Sequence, residues 1–167
     1  MSNFFNSKKA SWIWLLLRLY VGYEFLTAGW EKLTAPTPFS AAGTLNNALK
    51  GMTGAHPSVQ PWYGWFVKNI ALPNVSVFSF LVKYGECLVG LALILGFASI
   101  FAASMAMFLN FNFLFAGSTS TNTQLILIAG IIIFAGRAYA GYLGVDYWFR
   151  PVWRKLINAD AGAKVTA

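Results

Sequence analysis

Charged residues are scarce in this chain: they make up 10% of its 167 residues, whereas a typical soluble domain has about 25%. So few charges cannot cover a water-facing surface of this size, which excludes an ordinary soluble domain. Hydrophobic residues make up 57% of the sequence, and the mean hydropathy is +0.58. The composition therefore predicts an integral membrane protein.

Cysteine and histidine are nearly absent as well. Cys87 is the single cysteine, so thiol–disulfide chemistry within the chain is excluded. His56 is the single histidine and lies outside the long apolar segments, so no axial-ligand pattern for haem is evident. Iron–sulfur and structural zinc sites need several Cys or His ligands. We therefore expect no metal or haem in this chain, and we predict no flavin.

Long apolar segments are what the sequence has instead. A helix that spans a membrane needs roughly 20 mostly apolar residues. Four segments meet this requirement, at about 12–33, 75–95, 97–116 and 123–145. The last three are joined by short connections, which make neighbouring helices antiparallel. We predict an all-α membrane protein, in which residues 1–167 form one domain built on a bundle of four transmembrane helices.

Residues 34–74, between the first two predicted spans, have a different composition. Five of the six prolines of the chain lie there, among polar and aromatic residues. Trp62, Tyr63 and Trp65 suit the headgroup layer, where an aromatic ring can be half wet. We predict a structured extracytoplasmic cap (residues 34–74) with two short helices, near 39–49 and 62–69.

The distribution of positive charge predicts the orientation. Six basic residues flank the termini: Lys8, Lys9, Arg150, Arg154, Lys155 and Lys164. The cap carries only Lys50 and Lys68, with Lys32 at its edge. Because basic residues concentrate on the cytoplasmic side, we expect both termini there and the cap outside. Anionic lipid headgroups therefore explain the net charge of +7, and we expect no nucleic-acid partner.

Several charged residues fall inside the predicted spans, where each costs roughly 2.5–3.5 kcal/mol on insertion scales. Such residues usually face the bundle interior and are paired. They are Arg18, Glu24, Lys83, Glu86 and Arg137. The third span carries Asn110 and Asn112 instead, which point about 200° apart on a helix and cannot both face one site.

Helical spacing and depth predict which of these charges meet. Arg18, Glu86 and Arg137 each share a helix face with glycines, and faces rich in small residues are normally the packed ones. Counted from the cytoplasmic end of each span, the three lie about 9, 14 and 12 Å deep. We therefore predict an Arg18–Glu86–Arg137 cluster in the inner half of the bilayer. A structural role and a role in substrate or proton handling both stay open.

Other polar residues are secondary candidates: Glu24, Lys32, Lys83, Asn110, Asn112 and Asp146. Asp146 is spaced i, i+4 from Arg150, which predicts a local ion pair. No catalytic residue is assigned from the sequence.

Four stretches carry a resemblance to a known family: LLLRLYVGYEFLTAGWEKL (15–33), PNVSVFSFLVKYGECLVGLALILG (73–96), MFLNFNFLFAGS (107–118) and GRAYAGYLGVDYWFRP (136–151). In their order and spacing they resemble the DoxX/DoxD family, which includes the small membrane subunit of thiosulfate:quinone oxidoreductase. The residues that match the family pattern are Arg18, Gly22, Gly29, Lys32, Glu86, Gly90, Gly144 and Asp146.

The resemblance implies a multi-pass protein of a prokaryotic cytoplasmic membrane, working as a redox subunit that passes electrons from thiosulfate to a non-covalently bound quinone. A DoxA-like or other redox subunit, or a second copy of the chain, would be its partner. Lys32, Arg18 and Arg137 could then attract the anion, or Arg18 and Glu86 could border the quinone headgroup. Two alternatives stay open: a non-catalytic scaffold for a soluble redox or stress-response enzyme, and a small transporter.

Overall fold

The structure is a computed structural model that describes residues 8–53, 56–118, 121–136 and 139–149. Within these ranges the chain is all helical, with no strand. Arg137 lies outside the described residues, as do Arg150 and the basic residues that follow it. The predicted contribution of Arg137 to a charge cluster and the predicted Asp146–Arg150 pair therefore stay predictions.

Six α-helices follow one another along the described chain: α1 (Ser11–Thr34), α2 (Ala42–Lys50), α3 (Pro61–Phe66), α4 (Val75–Leu95), α5 (Ser99–Phe115) and α6 (Asn122–Ile131). A 3₁₀ turn precedes α1, and π-helical turns at Val67–Ala71 and Ile132–Gly136 extend α3 and α6. The two short helices predicted within the cap are present as α2 and α3.

The fourth predicted span is shorter in the structure than in the sequence-based prediction. It is described as helical as far as Gly136, and residues 139–145 form turns, so the prediction of a helix to 145 is wrong. The returning chain instead pairs with the end of α4. The Val145 N–H donates to the Leu95 carbonyl (3.0 Å) and the Asp146 N–H to the Gly96 carbonyl (2.8 Å). These bonds replace the ones a continuing helix would have made.

Helices α1 and α4 approach each other most closely at glycines. A Cβ built on Gly90 would lie 2.5 Å from the backbone nitrogen of Leu26, and one on Gly29 would lie 2.7 Å from that of Cys87. The glycine-bearing faces of these helices are therefore the packed ones, as predicted. Gly130 of α6 is not at a close helix contact, because nothing lies within 4 Å of a Cβ built there.

The four longer helices share one apolar core and turn further apolar side chains outward. The core includes Phe25 of α1, Leu93 of α4, Ala103 of α5 and Ile132 next to α6. Large exposed side chains occur on each of these elements: Leu16, Tyr23, Phe80, Leu88, Phe101, Phe108, Leu127 and Phe134. Apolar patches of this extent are unfavourable in water, and they suit a lipid surround.

By length and composition, α4 is the one described helix that could cross a membrane unaided. The stretches Ser99–Phe115 and Thr123–Gly136 are apolar but shorter. Helix α1 is 24 residues long and carries four charged residues, Arg18, Glu24, Glu31 and Lys32. The free energy of inserting α1 into a membrane therefore depends on where these four charged side chains lie in the structure.

The close approach at Gly90 gives a test of the packing. We expect Gly90→Ala to destabilise the protein by about 1–3 kcal/mol, because the added methyl group meets backbone rather than a movable side chain. Gly85→Ala is the matched control on the same helix, since its Cβ would have no neighbour nearer than 3.8 Å. Thermal unfolding in mild detergent measures both, and equal melting temperatures would contradict this packing.

Candidate functional site

Arg18 is fully buried, and its guanidinium joins three parts of the chain. Nη1 donates to the Ser99 hydroxyl (3.2 Å) and to the Ala140 carbonyl (3.1 Å), and Nη2 donates to the Leu143 carbonyl (3.1 Å). Nε has no partner among the described residues. Arg18 thus links α1 to the start of α5 and to the turns after α6.

Asp146 also contacts the start of α5, next to Ser99. Its carboxylate accepts hydrogen bonds from the backbone N–H groups of Ala98 (2.6 Å) and Ser99 (2.8 Å). These donors open α5, where a negative charge is favourable because N–H groups at a helix start lack partners within the helix. Asp146 also interacts electrostatically with Arg18.

The turn beside Arg18 leaves little free space. Gly96 has a φ of +68° and Ala98 a φ of +46°, so the chain reverses between α4 and α5 within a few residues. A Cβ on Gly96 would collide with the Arg18 guanidinium, and one on Gly144 would lie 2.8 Å from the Gly96 Cα. We call Arg18, Ser99 and Asp146 with this turn the arginine junction; it is a packed structural contact.

Glu86 pairs with Lys32 and not with Arg18. Lys32 Nζ lies 2.7 Å from Glu86 Oε2 and also donates to the Ala28 carbonyl (3.2 Å). The Glu86 side chain is 3% exposed and that of Lys32 is 23% exposed. The prediction of an Arg18–Glu86 contact is therefore wrong.

The register of α1 against α4 explains the error. Gly29 of α1 lies against Glu86 and Cys87, whereas Arg18 lies against Gly96, beyond the end of α4. Arg18 is eleven residues from Gly29 along α1, which corresponds to about 16 Å. The predicted depths of the charged residues were counted from the cytoplasmic end of each span. That assumed that all spans end at the same level in the membrane. Helix α1 in fact begins beyond the level at which α4 ends, so that Arg18 lies opposite the turn between α4 and α5.

Glu86 also faces a small cavity between the four longer helices. This polar cavity measures about 80 Å³ and is lined by Glu24, Phe25, Ala28, Glu86, Asn110, Phe113, Thr121 and Leu125. Asn110 is 1% exposed, and its Nδ2 has no hydrogen-bond partner in the described part of the chain. The Glu24 carboxylate likewise has no hydrogen bond or ion pair among the described residues. The structure therefore brings Glu24, Lys32 and Asn110 together with Glu86.

Two secondary candidates lie elsewhere. The Lys83 ammonium lies 5.3 Å from the centre of the Tyr84 ring. Asn112 donates through Nδ2 to the Phe108 carbonyl (2.8 Å) on the exposed side of α5. The prediction that Asn110 and Asn112 face different surroundings is confirmed.

A second, larger cavity lies under the cap. This aromatic cavity measures about 160 Å³, and its ring-bearing lining residues are Phe39, Tyr63, Phe66, Phe78, Phe108 and Phe113. The Tyr63 hydroxyl donates to the backbone carbonyl of Asn112 (3.0 Å), and burial raises the pKa of this phenol. Phe113 lines both cavities. Sequence reasoning missed the aromatic cavity, because α2 and α3 form one wall and α4 and α5 the other.

The fold and these sites define a helical protein with an apolar exterior and a few charged residues in its interior. The sequence profile of DoxX matches residues 13–118, which include Arg18, Lys32, Glu86 and Asn110. The chain belongs to the DoxX family, whose members are typically membrane-associated. No curated protein and no solved structure matches it.

The Lys32–Glu86 pair can be tested by exchanging its charges. We expect Lys32→Glu and Glu86→Lys to cost about 3 kcal/mol each, because each leaves a buried charge without its partner. The double exchange should recover about 1 kcal/mol or more, measured as a coupling energy from unfolding in mixed micelles. The matched exchange Arg18→Glu with Glu86→Arg should recover nothing. A favourable coupling energy for the Arg18–Glu86 exchange, with none for the Lys32–Glu86 exchange, would instead support the contact predicted from the sequence.

Asp146 can be tested through its contacts with the start of α5. We expect Asp146→Ala to cost about 1–2 kcal/mol, because both N–H groups lose their acceptor. Asp146→Asn should cost less, since the amide oxygen still accepts from one of them. Glu31→Ala, at an exposed position of α1, should leave the melting temperature unchanged. Equal melting temperatures for the parent protein and for the Asp146→Ala and Asp146→Asn variants would contradict a stabilising role of these contacts.

Proposed function

We propose that the chain is a multi-pass subunit of a membrane redox complex of the thiosulfate:quinone oxidoreductase type, which passes electrons to quinone together with a partner subunit. Membership of the DoxX family supports the class. The observation that carries the proposal is the aromatic cavity, which shares Phe113 with the polar cavity. An aromatic space next to buried polar groups suits a flat, lipophilic ring that bears carbonyl oxygens.

The four-span topology is supported by where the charges and the apolar surfaces lie. Helices α1, α5 and α6 expose large apolar side chains, as α4 does. The arginine junction and the Lys32–Glu86 pair place the most deeply buried charges in contacts inside the protein. That reduces the cost of putting α1 in lipid. With both termini cytoplasmic, the cap and the aromatic cavity lie at the outer face.

The quinone is placed away from Arg18 in this proposal. Arg18 is engaged in the arginine junction and Lys32 is paired with Glu86, so neither is free to capture thiosulfate. Contact with the sulfur anion therefore falls to the partner subunit. A quinone supplies the electron-accepting chemistry when bound, and the protein holds its ring under the cap, with Asn110 and Glu86 on the far side of Phe113.

A non-catalytic scaffold is the second candidate, and one observation favours it. Tyr147, Trp148 and Phe149 are exposed aromatic residues that follow the arginine junction, with Trp148 79% exposed. Aromatic side chains of this kind are enriched at protein–protein interfaces. A scaffold would use this end to hold a soluble enzyme and would have no need of a bound quinone.

The test is to purify the protein in mild detergent and to identify bound proteins and extractable quinone by mass spectrometry. Val82→Phe, which fills the aromatic cavity, should reduce quinone content by about tenfold, the factor equal to 1.4 kcal/mol of lost affinity. Val77→Phe is the matched control, on the same helix at a position that is 55% exposed. A partner protein that copurifies equally with both variants, with no quinone in the parent protein, would establish the scaffold instead.

A further inference from the structure

The lipid-facing surface of α4 and α5 carries an open apolar groove that continues from the aromatic cavity. We propose that this tail groove holds the isoprenoid tail of a membrane quinone whose ring lies in the aromatic cavity. The ligand class is then a neutral ring that bears a long hydrocarbon tail, and the groove selects such a molecule over a quinone without a tail. The proposal rests on the proposed function and deepens it, because it names the part of the protein that recognises the tail.

The tail groove has an apolar space of about 310 Å³ between α4 and α5, below the aromatic cavity. All ten of the residues that line this space are apolar. Leu88 on its α4 wall and Phe101 on its α5 wall are each 66% exposed, so the space opens sideways to the exterior of the helical core. In a membrane that exterior is lipid, and the occupant of the space is a hydrocarbon chain.

Gly85 connects the apolar space to the aromatic cavity. On α4, Val82 lines the aromatic cavity and Val89 lines the apolar space. Gly85 lies between them on the same helix face, three residues from one and four from the other. A Cβ built on Gly85 would have a single neighbour within 4 Å, the Leu109 Cδ1 atom of α5 at 3.8 Å. The glycine therefore leaves a gap between α4 and α5 that a larger side chain would close.

The tail groove also has the length and direction of a lipid chain. Along α4 it runs from Leu81 to Leu95, which corresponds to about 21 Å of helix. Along α5 the same face continues from Leu109 to Met105 and Phe101, at intervals of four residues. The hydrocarbon core of a bilayer is about 30 Å thick. A tail that begins under the cap therefore follows the groove through most of that thickness.

Two other occupants fit the groove less well. The described residues that line the aromatic cavity include no charged residue, so a phospholipid headgroup placed there would lose its hydration without gaining a partner. A helix of a second copy is about 10–12 Å wide with its side chains, whereas packed helices such as α4 and α5 have axes about 8–10 Å apart. The space between α4 and α5 therefore admits a hydrocarbon chain and not a helix.

The tail adds affinity because the ring tethers it to the groove. Hydrocarbon gains little by moving from lipid tails to an apolar protein surface. The gain comes instead from packing contacts and from the raised local concentration of a tail that is already attached to a bound ring. We expect a long-tailed quinone to bind about tenfold more tightly than the same ring with a one-unit tail, compared at equal mole fraction in the membrane.

The first test maps the tail in the parent protein. A quinone that carries a photoreactive diazirine near the end of its isoprenoid tail is added to the protein in lipid nanodiscs, and the labelled peptides are identified by mass spectrometry. We expect labels at residues 88–95 and 97–105, and none at the exposed Leu127 of α6. Excess unlabelled quinone should remove the labels and excess phospholipid should not. Labels spread over all lipid-facing helices, or labels that quinone does not displace, would overturn the tail groove.

Variants at Gly85 separate recognition of the tail from recognition of the ring. Gly85→Leu should weaken binding of the long-tailed quinone by about tenfold and leave the one-unit quinone unchanged, measured by displacement of the photoreactive quinone. Gly85→Ala, whose methyl group has room, and Gly130→Leu, at an uncrowded position of α6, are the matched controls. Both should bind the two quinones as the parent protein does. Equal binding of the long-tailed quinone by Gly85→Leu and Gly130→Leu would contradict the proposal.

The same measurements distinguish this proposal from the proposed function. Equal affinity for the long-tailed and the one-unit quinone refutes the tail groove and keeps the quinone site. Absence of binding by either quinone refutes both proposals. Val82→Phe acts on the ring and should weaken both quinones alike, whereas Gly85→Leu should weaken only the long-tailed one.

Discussion

The close approach of α1 to α4 is the constraint on which the rest of the structure depends. Gly22, Gly29 and Gly90 leave no room for a side chain between the two backbones, which favours the register that brings these glycines to the contact. Sliding α1 by a turn would put larger residues where the glycines are. This register decides which charges face each other, and so it separates Arg18 from Glu86 by several turns.

The separation gives the two ends of the helical core different properties. At one end Arg18 donates three hydrogen bonds to two other parts of the chain, and the Asp146 carboxylate accepts from the first N–H groups of α5. At the other end Lys32 satisfies a single oxygen of Glu86, while Glu24 and Asn110 have no partner among the described residues. Buried polar groups with several bonds to distant parts of a chain fix its structure, whereas buried polar groups that line a cavity are candidates for a binding site. Glu86 lines a cavity, whereas Arg18 is enclosed by the packed turn between α4 and α5.

Much of this could be predicted from the sequence, and the rest fails for identifiable reasons. Scarcity of charge indicated a membrane protein, and helical spacing correctly identified the packed faces that carry Arg18 and Glu86. The partner of Glu86 was missed because depth along a span depends on how far each helix extends beyond its neighbour, which apolar runs do not reveal. The contact of Asp146 with Ala98 and Ser99 was not predicted, since it requires the chain to return to the start of α5. The end of α6 was missed because residues 139–145 are apolar enough to continue a helix but bond to the end of α4 instead.

The position of the two cavities follows from the helical repeat of α5. Asn110 and Phe113 are three residues apart, so they lie on one face and a turn from each other. The Asn112 side chain lies on the opposite side, and the backbone carbonyl of this residue accepts a hydrogen bond from the Tyr63 hydroxyl of the cap. Helix α5 thus carries the buried amide of Asn110 on its interior face, with the Phe113 ring next to it. The backbone of the same helix contacts the cap through Tyr63. Phe113, one turn from Asn110, is therefore part of the wall of both cavities.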